Sequence, residues 1–293
     1  MNRLADSLMR GYFRFIEPLQ IAAKQGRRLR ECQLDSLHEV PACAATCGPF
    51  AATCGPACHD LVRFHKKSIA KFLTATMRAS GMTARFHAVP NVIPLGRYPD
   101  YAGYLALVRK KSAGNILREI QHARSHCHCR IINRHAHLDD IQATENSLLF
   151  RTSGPVVSAV LAPLSSGETP LPIRGAAVAP PACPRHYALD WGVFTRVHAD
   201  GSPLPQEELV GFIYLRRVGN GIRVIGFMGH GAHLRAGIMK LLFADLMKWL
   251  LDRQDEAVQG LDFIQYGAIE HGALGLLRWK QRFGFEPAVF VDA

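Results

Sequence analysis

The stretch from Gly211 to Val291 presents its elements in an order that few folds accommodate. Gly211–Val218 and Ile222–Met228 are apolar segments of strand length joined through Gly219-Asn220-Gly221. Asn-Gly supplies the positive φ angles of a tight hairpin turn, so the two strands are antiparallel neighbours. A glycine-rich bend follows, Gly229-His230-Gly231-Ala232-His233-Leu234-Arg235-Ala236-Gly237. Ile238, Leu241, Leu242, Leu246, Trp249 and Leu250 then recur at helical spacing and predict a helix ending near Asp252-Arg253. Leu261–Tyr266 reads as a strand, Ala273–Phe283 as a second helix stopped by Gly284, and Ala288–Val291 as a closing strand. The order is therefore strand, strand, helix, strand, helix, strand, an α/β pattern that opens on an antiparallel hairpin.

Upstream, the pattern is less regular. Residues 1–60 read as an irregular extension in which Leu4, Leu8, Tyr12 and Phe15 share one face of a basic helix. That helix is expected to dock on the protein or fray, with a peripheral membrane contact as the alternative. Leu61, Phe64, Ile69, Phe72 and Ala75 fit one helical face, and Thr83–Val89 alternates like a strand before Pro90 and Pro94. Tyr101, Tyr104, Leu105 and Val108 begin a helical pattern that continues through the basic run Arg109-Lys110-Lys111 to Ile120, and Leu138–Phe150 reads as a further helix. Prolines crowd the segment from Pro155 to Pro184. The expected layout is an N-terminal α/β half over 61–165, a Pro/Gly-rich linker or loop over 166–186 and a C-terminal half over 187–293.

At 293 residues the chain has ample core for one large or two small domains. No apolar run reaches the ~20 residues of a membrane helix. Arg3, Asp6, Arg10 and Arg14 interrupt the apolar positions of the N-terminus, which argues against a secretory signal. The expected location is the cytoplasm. The net charge of +11 favours an anionic partner such as a phosphorylated cofactor, RNA, or an acidic glycan or lipid head group, without choosing among them.

The eight cysteines are expected as reduced thiols. Ala-Ala-Thr-Cys-Gly-Pro occurs at 44–49 and again at 51–56, which with the flanking residues gives Cys43, Cys47, Cys54, Cys58 and His59. His126-Cys127-His128-Cys129 forms a second cluster, followed by His135 and His137. Gaps of three residues suit zinc knuckles, but the duplication accounts for two of the cysteines without a metal. No metal is expected.

A strand, glycine-rich bend and helix in succession can hold an anion, because the first-turn N–H groups and the helix dipole face it together. Gly229, His230, Gly231, Arg235, Gly237 and Ile238 are the candidate donor-binding residues. The G-x-G-x-x-G fingerprint of nicotinamide sites is absent. The closing helix ends in Leu276-Leu277-Arg278-Trp279-Lys280-Gln281-Arg282-Phe283-Gly284-Phe285, an aromatic–lysine pair one turn before the glycine.

The element order resembles the GNAT acyltransferase superfamily. Trp279-Lys280-x-x-Phe283-Gly284 is similar to the ending of its FemAB-like branch, the relatives of the Fem-type peptidoglycan peptidyltransferases, and the basic segment Lys110–Arg124 resembles a helix that these relatives carry. The resemblance spans roughly 60–290. It implies an α/β fold with a GNAT-type mixed, largely antiparallel sheet flanked by helices, with the first half as a degenerate second copy and the cleft between the two. It implies acyl-CoA as donor, or aminoacyl-tRNA if the chain follows the Fem branch. The sequence departs from the GNAT phosphate loop Q/R-x-x-G-x-G/A: Gly237 can supply the first glycine, while Leu234 and Met239 stand at the flanking positions. Lys280 aligns where GNAT enzymes commonly carry a tyrosine.

Acyl transfer to an amine needs a base, a stabiliser for the oxyanion and an acid for the leaving group. Lys280 suits the oxyanion or a donor phosphate, as the Fem resemblance implies. Glu270 or His271, just after the strand at 261–266, suits the base. Tyr266 suits the acid. The expected function is an N-acyltransferase that moves an acyl group from acyl-CoA to a small-molecule or glycan-linked amine. The alternatives are an aminoacyl-tRNA-dependent transferase and a non-catalytic module binding an anionic glycan or nucleic acid.

Overall fold

The structure, a computed structural model, describes residues 38–42, 90–148, 150–151, 154–155, 173–174, 183–197, 206–268 and 274–292. In chain order the strands are β1 (His38–Ala42), β2 (Pro90–Pro94), β3 (Cys127–Ile132), β4 (Phe150–Arg151), β5 (Gly154–Pro155), β6 (Ile173–Arg174), β7 (His186–Val197), β8 (Gln206–Val218), β9 (Gly221–Gly229), β10 (Phe263–Ala268) and β11 (Glu286–Asp292). The helices are α1 (Tyr101–Ser112), α2 (Asn115–Arg124), α3 (Leu138–Asn146), α4 (Ile238–Leu250) and α5 (Leu274–Arg282).

Among the described residues, nine strands form one sheet in the order β1-β11-β2-β10-β9-β8-β7-β3, with β6 also paired to β7. Five of its pairings are antiparallel, and β1/β11, β9/β10 and β6/β7 are parallel. The sheet is therefore mixed and largely antiparallel, and helices flank both faces. One core is built from Tyr104 and Val108 of α1, Ile116 and Ile120 of α2, the apolar stripe of α4 and the inward residues of the sheet. A smaller core on the opposite face joins Ile141 of α3 to Phe194, Phe212 and Tyr214. Strands from 61–165 and from 187–293 belong to the same sheet: β2 lies between β10 and β11, and β3 pairs with β7.

The hairpin predicted at Gly219-Asn220-Gly221 is present, with Val218 paired to Gly221, and both of its strands extend beyond the expected limits. The helices at 238–250 and 274–282 follow the expected stripes. Gly284 stops α5 at φ +89°. Its N–H donates to the Gln281 carbonyl, and the Phe285 N–H reaches back to the Lys280 carbonyl at 3.0 Å, the paired bonds of a Schellman cap.

Three expectations shift. The helix expected from Tyr101 to Ile120 is two helices, because Ala113 (φ 49°) and Gly114 (φ 78°) both adopt the left-handed conformation. The helix expected to reach Phe150 ends at Asn146, and Phe150 pairs with Pro155 in a short two-stranded ladder. Pro90 and Pro94 bound a strand rather than interrupt the chain. Each sits at an end of β2, where a missing N–H costs the ladder least. The helix expected over 61–81, the strand expected over 83–89 and the Cys43–Cys58 cluster lie outside the described residues.

Candidate functional site

The site is built where β9 and β10 part. These parallel neighbours pair over Gly221–Arg223 and Phe263–Gln265, and β9 then runs on to Gly229 while β10 runs on to Ala268. Parallel strands that separate leave backbone groups unpaired at a wedge, which is where a ligand can enter a sheet. On the main-core face that wedge is lined by aromatic rings. Phe227 of β9 lies 5.9 Å from Tyr266 of β10 and 5.3 Å from Trp279 of α5, between ring centroids. Phe243 of α4 closes the cluster from below at 5.0 Å from Trp279.

The structure brings Tyr266 and Lys280 together. Lys280 is 1% exposed, although it sits on a helix whose neighbouring positions Arg278 and Gln281 are exposed. Its Nζ donates to the Ala268 carbonyl at 3.0 Å, at the end of β10, and lies 4.7 Å from the centroid of the Tyr266 ring. A cation over an aromatic face recovers part of the solvation lost on burial. Glu270 and His271 lie outside the described residues.

The other candidates form the corner between β9 and α4. Gly229 ends β9. His230 caps the 3-10 turn Gly231–Ala236, its Nδ1 accepting from the Ala232 N–H at 3.3 Å, and its ring lies 5.5 Å from that of His233. The Gly231 N–H donates to Ser147 Oγ at 2.8 Å, which ties the corner to the end of α3. Arg235 is exposed. Gly237 adopts φ +81° and packs so closely on α2 that a Cβ there would stand 2.9 Å from the Glu119 carbonyl oxygen. Ile238 opens α4 with its side chain wholly in the core, so any contact it makes to a ligand is through its N–H. The glycines of this corner also serve packing: the Met239 thioether lies across Gly229 and Gly211, and Leu148 lies against Gly231.

A second polar centre lies on the opposite face. Asp190, fully buried in mid-β7, accepts from Arg134 Nε and Nη2 at 2.7 Å each. The Arg134 guanidinium stacks 4.1 Å over the Tyr214 ring. Burial pushes the Asp190 carboxyl up, and the Arg134 charge opposes that shift. Burial likewise raises the Tyr214 phenol. Sequence reasoning gave Asp190 no role. Its one signal was a charged residue within the otherwise apolar run Tyr187–Phe194.

Of the cluster His126–Cys129, His126 lies in the turn after α2 and the other three open β3, with Cys127 buried and Cys129 half-buried; burial raises both thiols. Among the described residues no three His, Cys, Asp or Glu side chains converge on a metal position, and no helix is long and apolar enough to cross a membrane.

No family profile matches the chain, and no curated protein matches it. Among solved structures it is similar to a GCN5-related N-acetyltransferase from Kribbella flavida, at 14% identity and a TM-score of 0.35, over 73% of this chain and 60% of that one. It is also similar to L-PGS from Bacillus licheniformis, at 15% identity and a TM-score of 0.34, over 62% of this chain and 45% of that one. The chain thus spans less than two thirds of the length of either.

Proposed function

We propose that the protein is an N-acyltransferase that moves an acyl group from acyl-CoA to an amine on a small molecule or glycan. One observation carries the reading: the buried Lys280 of α5 holds its ammonium against the end of β10, the strand that parts from its parallel neighbour β9, while β9 itself leads into the start of α4. A helix start favours the donor's phosphates and a buried ammonium favours developing negative charge, so the two would face the two ends of one acyl donor. The amine lone pair attacks the thioester carbon and its C=O electron pair moves to oxygen, where Lys280 stabilises the oxyanion. The intermediate then collapses, expelling the CoA thiolate. Glu270 or His271 takes the proton from nitrogen, and Tyr266 protonates the thiolate.

The test is release of free CoA thiol from acetyl-CoA and from a long-chain acyl-CoA with an amine series, beside the shift in melting temperature each donor causes. Turnover that is lost in Lys280→Ala and Glu270→Ala supports the reading. A melting shift without turnover in any series indicates a binding module on the same fold.

A second reading, an aminoacyl-tRNA donor, draws on Met239 lying across Gly229 and Gly211 where a phosphate loop would be open, and on the exposed run Arg109-Lys110-Lys111 at the end of α1. Steeply salt-dependent tRNA binding with no acyl-CoA effect would select it.

A further inference from the structure

Asn91 is 1% exposed, and its Oδ1 is buried without a hydrogen-bond partner. A buried amide carbonyl left unpaired destabilises a fold, so such a group calls for an explanation. Its position supplies one. Ile93 pairs with Ile264 and faces the main core, and side chains two apart on a strand share a face. Asn91 is therefore on the main-core face of the sheet, the side of α1, α2 and α4. Across the ladder, the register slips between Gln265 and Ala268, so that Tyr266 and Gly267 (φ +56°) together stand opposite Asn91. Tyr266 of that bulge carries the Lys280 ammonium over its ring. Ala268, which ends the bulge and pairs with Pro90, accepts from Lys280 Nζ. The orphaned oxygen thus belongs to the strand residue facing the bulge around which the candidate site is arranged.

We propose that Asn91 Oδ1 is the acceptor that orients the incoming amine. The inference rests on the acyl-transfer reading. A neutral primary amine attacking a thioester points its lone pair at the carbonyl carbon and retains two N–H bonds. One proton is lost to the base as the C–N bond forms; the other needs an acceptor, and Asn91 Oδ1 supplies it. An alcohol has a single O–H, which goes to the base, and would leave Asn91 unpaired in the transition state. The site therefore discriminates for primary amines and against alcohols by the penalty of an unpaired buried polar group.

The experiment compares wild type, Asn91→Leu and Asn91→Asp in CoA release from acetyl-CoA, with glucosamine, spermidine and a lysyl peptide as amine probes, together with melting temperature. Asn91→Leu is expected to melt at or above the wild-type temperature, because it removes an unpaired polar group from a buried position. It should keep the KM for acetyl-CoA and raise the KM for the amine by about tenfold or more. Asn91→Asp retains the acceptor and should recover most of the amine KM. A lower melting temperature in Asn91→Leu with an unchanged amine KM makes the residue structural and overturns the proposal. An Asn91→Asp variant as impaired as Asn91→Leu also overturns it, because the amide would then act through its N–H. No CoA release by wild type with any probe overturns the acyl-transfer reading and this inference with it. Turnover with an Asn91-insensitive amine KM overturns this inference alone.

Discussion

Lys280 Nζ donates to the carbonyl of Ala268 at 3.0 Å, tying the closing helix to the end of β10 through a side chain buried to 1% exposure. The same residue's carbonyl accepts the Phe285 N–H of the cap that ends α5. Backbone and side chain of one residue thus fix where the helix stops and where its charge is held. A lysine that merely rode the surface of the helix would show neither the burial nor the approach to Tyr266.

Lys280→Met separates the two roles. Methionine fills a similar volume without the charge, and replacing a buried charge by an apolar group of like size is often neutral for stability. The unfolding free energy should change by less than about 1 kcal/mol beyond the lost hydrogen bond, itself worth about 1 kcal/mol. Acyl transfer should fall by about 10²-fold or more while the melting shift with donor persists, as removal of an oxyanion-stabilising group does elsewhere. Urea unfolding and CoA-release kinetics check the two halves; unaltered turnover would remove Lys280 from the chemistry.

Arg134→Met tests the centre on the opposite face. Asp190 is fully buried and both its oxygens are held by Arg134, so losing the guanidinium leaves a carboxylate with no compensating charge at 2.7 Å. The cost should reach about 3–5 kcal/mol in urea unfolding. The double variant Arg134→Met/Asp190→Leu should recover much of it, because no charge remains to be buried. A double variant as unstable as the single would show that packing, not charge, sets the loss.

Alkaline stability reports on Tyr104. Its phenol is fully buried under α1 and donates to the Phe283 carbonyl at 3.0 Å, and burial holds it well above its ordinary value. Burial also pushes Tyr101 up to about 12. A folded-state value above the unfolded one means the unfolded chain sheds these protons first. The stability they confer is therefore complete below about pH 10, the unfolded value, and falls as pH rises through the folded values. The melting temperature should drop from pH 10 upward. Tyr104→Phe should cost about 1 kcal/mol near neutrality and make the alkaline drop shallower. A drop equally steep in the variant would assign it to other groups.

The parts that were legible in the sequence are those with local causes. Asn220-Gly221 dictates a tight turn, the stripe from Ile238 to Leu250 dictates a helix with one buried face, and Gly284 dictates a stop. The remainder depends on partners far along the chain. Pro90 and Pro94 look like punctuation until β10 and β11 are placed on either side of the five residues they bound. Asp190 looks out of place in an apolar strand until Arg134, 56 residues earlier, arrives to hold it. Ala113 gives no sign in composition that it will take the left-handed conformation that divides α1 from α2. Within the site, Tyr266 and Lys280 proved to be neighbours, while the glycine count of the bend reflects packing against Met239, Leu148 and Glu119 as well as any ligand.

Met239 decides how open the donor end is. Its sulfur lies only 2.5 Å from where a Cβ on Gly229 would stand, and also crowds Gly211, so the thioether covers the corner that leads into α4. Met239→Ala removes that cover. Part of the side chain is exposed, so the stability cost should fall near the low end of the usual range for a buried methionine, about 2 kcal/mol. If acyl-CoA is the donor and its phosphates approach the start of α4, the truncation should enlarge the melting shift with acetyl-CoA relative to the variant's own baseline and lower its KM. If tRNA is the donor, acetyl-CoA should leave the variant's melting temperature unmoved, as in wild type. Calorimetric titration of acetyl-CoA into both proteins gives the comparison directly: tighter binding in Met239→Ala places the donor at this corner, and equal or weaker binding moves it elsewhere.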